Sequence, residues 1–120
     1  MIILVCGGRD YANRRELYGV LDGLDAENPI HGLIHGCARG ADSLARDWMN
    51  EKIATDGNRW MAGYPAQWDT HGKAAGVLRN QQMLDEHQGI ELVVAFKGGT
   101  GTADMVRRAK TKGIKVLEIQ

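Results

Sequence analysis

The chain is poor in the residues on which most familiar chemistries rest. Its 120 residues hold two cysteines, Cys6 and Cys37. No paired metal-ligand spacing surrounds them, which excludes a zinc ribbon or a disulfide framework and leaves two reduced thiols as the expectation. The single serine, Ser43, lies outside any Gly-x-Ser-x-Gly turn, so a hydrolase nucleophile elbow is missing. His31, His35, His71 and His87 show no metal-binding helical spacing with acidic partners, and neither a metal nor a cofactor is expected. Both the P-loop signature and the full Gly-x-Gly-x-x-Gly fingerprint are absent, against a P-loop nucleotide hydrolase and ordinary dinucleotide dehydrogenase chemistry.

Charge of one sign is also lacking. Fifteen basic and fifteen acidic side chains cancel, and no segment carries a Lys/Arg stripe, which counts against nucleic acid as a partner. The longest early apolar run, Met1 to Cys6, falls far short of the about 20 residues that span a bilayer. It also has neither the charged start nor the long apolar core of a signal peptide. A cytoplasmic protein without a membrane partner is the expectation. A hydrophobic share of 43% and a charged share of 25% suit one globular domain over residues 1–120.

Glycine is what the chain has in excess, 16 residues against 2 prolines. Its placement follows the secondary-structure pattern. Ile2 to Cys6 is an unbroken apolar run ending at Gly7-Gly8, as in a strand buried on both faces of a parallel sheet. From Asn13, Leu17, Val20, Leu21 and Leu24 recur at helical spacing up to Asn28-Pro29. Gly32 to His35 predicts a second strand, and Ala41, Leu44, Ala45, Trp48, Met49 and Ile53 a second helix that stops at Asp56-Gly57. Asn58 to Ala62 predicts a third strand. Gly63 to Gly72 has no periodicity and predicts the longest loop. A helix over Ala74 to His87, a strand over Glu91 to Phe96, a helix over Thr102 to Lys112 and a strand over Lys115 to Ile119 complete the pattern.

Alternating strands and helices predict an α/β, Rossmann-like three-layer fold with a mainly parallel five-stranded sheet. Ligands of such sheets bind beyond the carboxyl ends of the strands. Four loops fall there: Gly7 to Tyr11, Gly36 to Asp42, Gly63 to Gly72 and Lys97 to Thr102.

Each loop has chemistry to offer. Gly98, Gly99, Thr100, Gly101 and Thr102 link a buried strand to a helix, where free N–H groups and the helix dipole favour a phosphate; a tight turn with a Thr cap is the plainer alternative. In the second loop, Gly36, Gly40 and Arg39 suit an anion, while Asp42 either accepts from ribose hydroxyls or caps the helix. In the first, Gly7, Gly8 and Arg9 stand beside Asp10 and Tyr11; Arg9 and Asp10 either meet a ligand or pair with each other, and Tyr11 could stack on a base. Arg79 and Asn80 lie in a helix preceded by Ala74, Ala75 and Gly76, small enough to let a ligand near. Trp68 either covers a ligand or closes its own loop, and Trp48 and Trp60 are assigned to the core.

These blocks, Val5-Cys6-Gly7-Gly8-Arg9-Asp10-Tyr11, His35-Gly36-Cys37-Ala38-Arg39-Gly40-Ala41-Asp42, Tyr64-Pro65-Ala66-Gln67-Trp68 with Arg79-Asn80, and Ala95 through Met105, resemble in order the YspA/YpsA-related branch of the SLOG superfamily. The resemblance implies a Rossmann-like fold with the first and fourth loops together at the switch point. It also implies recognition of a nucleotide or nucleotide-derived ligand. Homodimers are common in the superfamily, so a homodimer is a further expectation. Related Lonely Guy-type phosphoribohydrolases cleave the N-glycosidic bond of nucleotides with Pro-Gly-Gly-x-Gly-Thr-x-x-Glu and an Arg. Gly98, Gly99, Gly101 and Thr102 carry over, and Arg79 resembles the Arg, ahead of Met83.

Two positions depart from that enzyme pattern, with Lys97 in place of Pro and Met105 in place of the catalytic Glu. Met cannot stabilise an oxocarbenium-like state or activate water. Asp104 is one residue away and about 100° around the helix, leaving Asp10, Asp42 and Asp104 as the carboxylates for an enzymatic reading. The first reading is therefore a nucleotide-binding or nucleotide-sensing protein. A hydrolase acting on a nucleotide or NAD-like substrate is the alternative, and a single-stranded DNA module, like the DNA-processing A protein among Rossmann-like relatives, the third.

Overall fold

A computed structural model describes residues 1–120. The elements in chain order are β1 (Ile2–Cys6), α1 (Arg14–Glu27), β2 (Gly32–His35), α2 (Ala41–Thr55), β3 (Trp60–Gly63), α3 (Trp68–His71), a 3₁₀ turn (Gly72–Ala74), α4 (Ala75–Glu86), β4 (Ile90–Ala95), α5 (Thr100–Thr111) and β5 (Lys115–Glu118). All five strands pair in parallel, in the order β3-β2-β1-β4-β5. The chain lays β2 and β3 outward from β1, then crosses back to place β4 on the other side of β1. The order reverses between β1 and β4, where open parallel sheets present a crevice.

Side-chain alternation along the strands divides the core into two halves and makes the three layers. Ile3, Val5, Leu33, Leu92 and Val94 face α1 and α2, meeting Leu17, Leu21, Ala45, Trp48 and Met49. On the opposite face Leu4, Cys6, Ile34, Val93 and Ala95 meet Met83, Leu84, Met105, Val106 and Ala109 of α4 and α5. Leu17 and Leu21, one helical turn apart and fully buried, each contribute about 2–3 kcal/mol by leaving water. Trp48 is buried in the first half, and its indole N–H donates to Asp22 Oδ1 at 2.9 Å, tying α2 to α1. Trp60 is half-buried against the second half and stacks on His87, with ring centroids 5.8 Å apart.

Local chemistry sets the helix boundaries. Asn13 Oδ1 accepts the Glu16 N–H at 3.0 Å and caps α1, while Pro29 stands just past Asn28, which ends the helix. Asp25 accepts from Arg59 at 2.7 Å and from the Ile30 N–H at 2.8 Å, pinning the end of α1 to the start of β3. Asp56 accepts the Asn58 N–H, so those residues turn and β3 begins only at Trp60, two residues later than the pattern predicts.

Two larger departures bear on the site. The stretch Gly63 to Gly72 is not all loop: Gln67 O accepts from the Thr70 and His71 N–H groups and starts α3, which runs through the 3₁₀ turn into α4. A helix of four residues is too short to show a period. Also, α5 begins at Thr100, not Thr102, because the glycine-rich run itself forms the first turn behind Gly99. Glycine's poor helix propensity hides such a start. No helix is long and apolar enough to cross a membrane.

Candidate functional site

At the carboxyl ends of β1, β2 and β4 lies a cleft of about 790 Å³. The first and fourth loops form its base and touch directly: the Gly8 N–H donates to Lys97 O at 2.9 Å. Only glycine fits this junction. A Cβ on Gly7 would come within 2.5 Å of the Ala41 Cβ, and one on Gly8 would meet the Lys97 oxygen and the Gly98 Cα at 3.0–3.1 Å. A Cβ on Gly98 would strike Thr102 Oγ1 and come 2.7 Å from the Gly8 nitrogen. Gly40, at φ +80°, brings its Cα against the Gly8 carbonyl. Gly40 and Gly98 therefore hold loops together and are not among the cleft-lining residues.

The second and fourth loops treat their amides in opposite ways. In the second loop three successive N–H groups turn inward. Gly36 and Ala38 donate to Asp42 Oδ2 at 3.0 and 3.2 Å, and Cys37 donates to His35 Nδ1 at 3.0 Å. Asp42 thus does not cap α2, whose cap position is Gly40 without a side-chain bond; it ties down the loop ahead of the helix. Cys37 takes φ +58° in this loop, a left-handed conformation that those inward bonds hold in place. In the fourth loop, by contrast, the Gly98 and Gly99 N–H groups have no acceptor within the protein. The first turn of α5 has no capping side chain either, and its N–H groups have no partner along the helix. No atom lies within 4 Å of the Cβ positions of Gly99 and Gly101. Loop four offers these unpaired amides and an uncapped helix start to an anion.

Charged side chains close the walls. Arg79 donates from Nη1 to Gly36 O and Tyr64 O and from Nε to Asn80 Oδ1 at 3.1 Å, leaving Nη2 unengaged. Burial pulls its pKa down and the Asp42 charge opposes that. Buried Asn80 passes the link onward, donating to Gly101 O at 3.2 Å and to Asp104 Oδ2 at 3.1 Å. Asp104 also accepts from Arg108 at 2.8 Å and from Arg107. Burial would raise its pKa, but the bonds from Arg108, Asn80 and Arg107 outweigh it and hold the carboxyl below the usual range. A carboxylate so fully engaged is not a free base. Met105 is buried in the core, so the position held by Glu in the phosphoribohydrolases does not face the cleft.

Asp42 is different. It is 6% exposed and lines the cleft. Burial raises its carboxyl to about 6, against the lowering effect of the Ala38 N–H, Arg79, the Gly36 N–H and Arg9. The cleft mouth is bridged by Arg9, whose guanidinium lies 5.1 Å from the centre of the Trp68 ring. Thr100, Gly101 and Thr102 line the opposite side.

Besides Gly40 and Gly98, three of the residues picked out from the sequence, Asp10, Tyr11 and Arg39, lie apart from the cleft lining. Arg39 and Asp10 are exposed and pair with each other at 3.6 Å, so Asp10 does not pair with Arg9. Tyr11 packs on Phe96 with centroids 5.3 Å apart and donates to Glu16 at 2.6 Å. Sequence reasoning overlooked Lys73 and Arg107, both lining the cleft. Lys73 falls between the predicted loop, which ends at Gly72, and the predicted helix, which starts at Ala74, and was assigned to neither; Arg107, three residues after Asp104, was legible as the same helix face.

The sequence model described as YAcAr, the YspA, cpYpsA-related SLOG family, matches residues 1–71. The Gene 61 protein of Mycobacterium phage D29 is 34% identical over 119 residues, covering 96% of this chain and 93% of the phage protein. No solved structure matches. With more than half the chain matched by the family and a full-length relative above 30% identity, the protein belongs to the YspA, cpYpsA-related SLOG family.

Proposed function

We propose that the cleft binds a nucleotide or nucleotide-derived metabolite, with a phosphate at the start of α5. One observation carries the reading. A chain with no net charge gathers four cations, Arg9, Lys73, Arg79 and Arg107, around one cleft against two carboxylates, Asp42 and Asp104. That excess positive charge meets unpaired amides and a helix N-terminus, a combination suited to phosphate. Family membership agrees with a nucleotide-related ligand. The Arg9–Trp68 pair offers a flat cationic and aromatic surface for a base.

The test is a thermal-shift and native mass spectrometry panel of AMP, ADP-ribose, NAD and cyclic nucleotides. A stabilising hit restricted to phosphate-bearing compounds supports the reading, and a flat response across the panel removes it. The informative variant is Lys73→Gln, because Lys73 is exposed and forms no ion pair; Arg79 also holds the carbonyls of Gly36 and Tyr64. Lys73→Gln should weaken the hit about 3- to 10-fold with unchanged stability, an effect that fades with added salt.

Hydrolysis of the N-glycosidic bond is the second reading, favoured by Asp42, a carboxyl raised to about 6 inside the cleft. Such a group can take a proton from water as it attacks the sugar carbon. Release of free base from nucleoside monophosphates or NAD, abolished in Asp42→Asn, would establish it; no release leaves binding alone.

A further inference from the structure

The unused oxygen of Asp42 says more about the ligand than its phosphate does. Oδ2 accepts two N–H bonds, whereas Oδ1 has no donor in the protein. No buried side-chain oxygen is left unsatisfied, so Oδ1 keeps an opening, and the residue lines the cleft. A carboxylate this deeply buried, with one oxygen that no protein group satisfies, calls for a donor.

Position narrows what that donor is. The Asp42 carboxylate, from the first turn of α2, bonds the Gly36 N–H just past the end of β2, and the open amides stand beyond the end of β4, with β1 between the two strands. The two lie about two strand spacings apart, roughly 10 Å. The bridging residues, Gly7 and Gly8, have no side chains to fill the gap. A phosphate hydrogen-bonded at α5 and the sugar it esterifies cover that span once a hydrogen bond is added at each end. A cationic donor is disfavoured by Arg9 and Arg79, both close enough to act on the Asp42 charge. No group of three His, Cys, Asp or Glu side chains is assembled that could hold a metal ion. A neutral hydroxyl is the donor that fits.

Resting on the phosphate-binding reading above, we infer that Asp42 accepts a hydrogen bond from a ribose hydroxyl and makes the site selective for ribonucleotides over deoxyribonucleotides. Asp10, exposed and paired with Arg39 outside the cleft lining, has no part in this.

The experiment is calorimetric titration of the intact protein at pH 7.5 with the four ribonucleoside 5′-monophosphates, each against its 2′-deoxy and 3′-deoxy counterparts. The expected result is about 10- to 100-fold weaker binding of at least one deoxy form, the scale of a hydrogen bond to a charged acceptor. Asp42→Asn retains an oxygen for Gly36 and Ala38 but turns an amide donor toward the sugar. In that variant the charged acceptor is gone and only a neutral bond from the amide to the hydroxyl oxygen remains, so the ratio should fall to a few-fold at most. Equal binding of ribo and deoxy forms by the wild-type protein overturns the inference and leaves phosphate binding standing. So does a ratio that is undiminished in Asp42→Asn. Failure of every nucleotide to bind removes the phosphate reading and this inference with it. The wild-type comparison needs no variant and stands even if Asp42→Asn folds poorly.

Discussion

Replacing Asp42 with Asn should stabilise the protein at neutral pH even though it alters the cleft. The wild-type carboxyl rises from 3.8 to about 6 on folding, because burial penalises its charge more than two amides and Arg79 compensate. A group whose folded pKa lies above its unfolded one binds protons more tightly in the native state. Native stability is then greatest with the carboxyl protonated, below pH 3.8, and declines as pH climbs through about 6. At about 1.4 kcal/mol per pH unit between those two values, the ionised carboxylate costs roughly 3 kcal/mol above pH 7. Asn imitates the neutral acid, so Asp42→Asn should gain up to that amount at pH 7.5, or roughly 10 °C in Tm for a domain of this size. The gain should shrink steadily from pH 6 to pH 4. Urea melts of both proteins across that range measure it. Taking the difference at each pH cancels His35, which has the opposite sign: burial lowers its pKa, followed in effect by Arg46 and Arg79, so charging it in acid destabilises the fold. A variant less stable than wild type at pH 7.5, or a difference that does not change with pH, would refute the reasoning.

Gly40→Ala should lose about 2–4 kcal/mol in a denaturant melt, since a left-handed backbone and a clash with the Gly8 carbonyl add together. The neighbouring glycines of the fourth loop separate cleanly: Gly98→Ala, squeezed between Thr102 and the Gly8 amide, should cost about 2 kcal/mol or more, whereas Gly99→Ala, with open space at its Cβ, should cost under about 1 kcal/mol. A reversed order would show that the loop is held differently. Of the two free thiols, exposed Cys37 should react with a disulfide reagent in the native protein, slowly because burial raises its pKa. Cys6, pushed up to about 12 chiefly by burial, should react only on unfolding. Two fast native thiols would contradict that burial.

Much of the architecture could be read from residue order, because burial leaves a periodic trace. The unbroken runs Ile2 to Cys6 and Glu91 to Phe96 match β1 and β4 to within a residue. The 3.6-residue spacing of Leu17, Leu21, Ala45, Trp48 and Met49 identifies the residues that now fill one half of the core. Family motifs are local strings and were legible for the same reason. Tertiary structure alone decided what each loop amide does. Gly36 and Gly99 look alike in the sequence, both glycines after a buried strand. The first donates into Asp42 six residues on, and the second has no acceptor within the protein. No periodicity reports that difference, because it depends on where a carboxylate from the following helix turns. Nor does a net charge of zero reveal four cations collected at one cleft, since a sum over the chain has no direction in space and only folding gives it one.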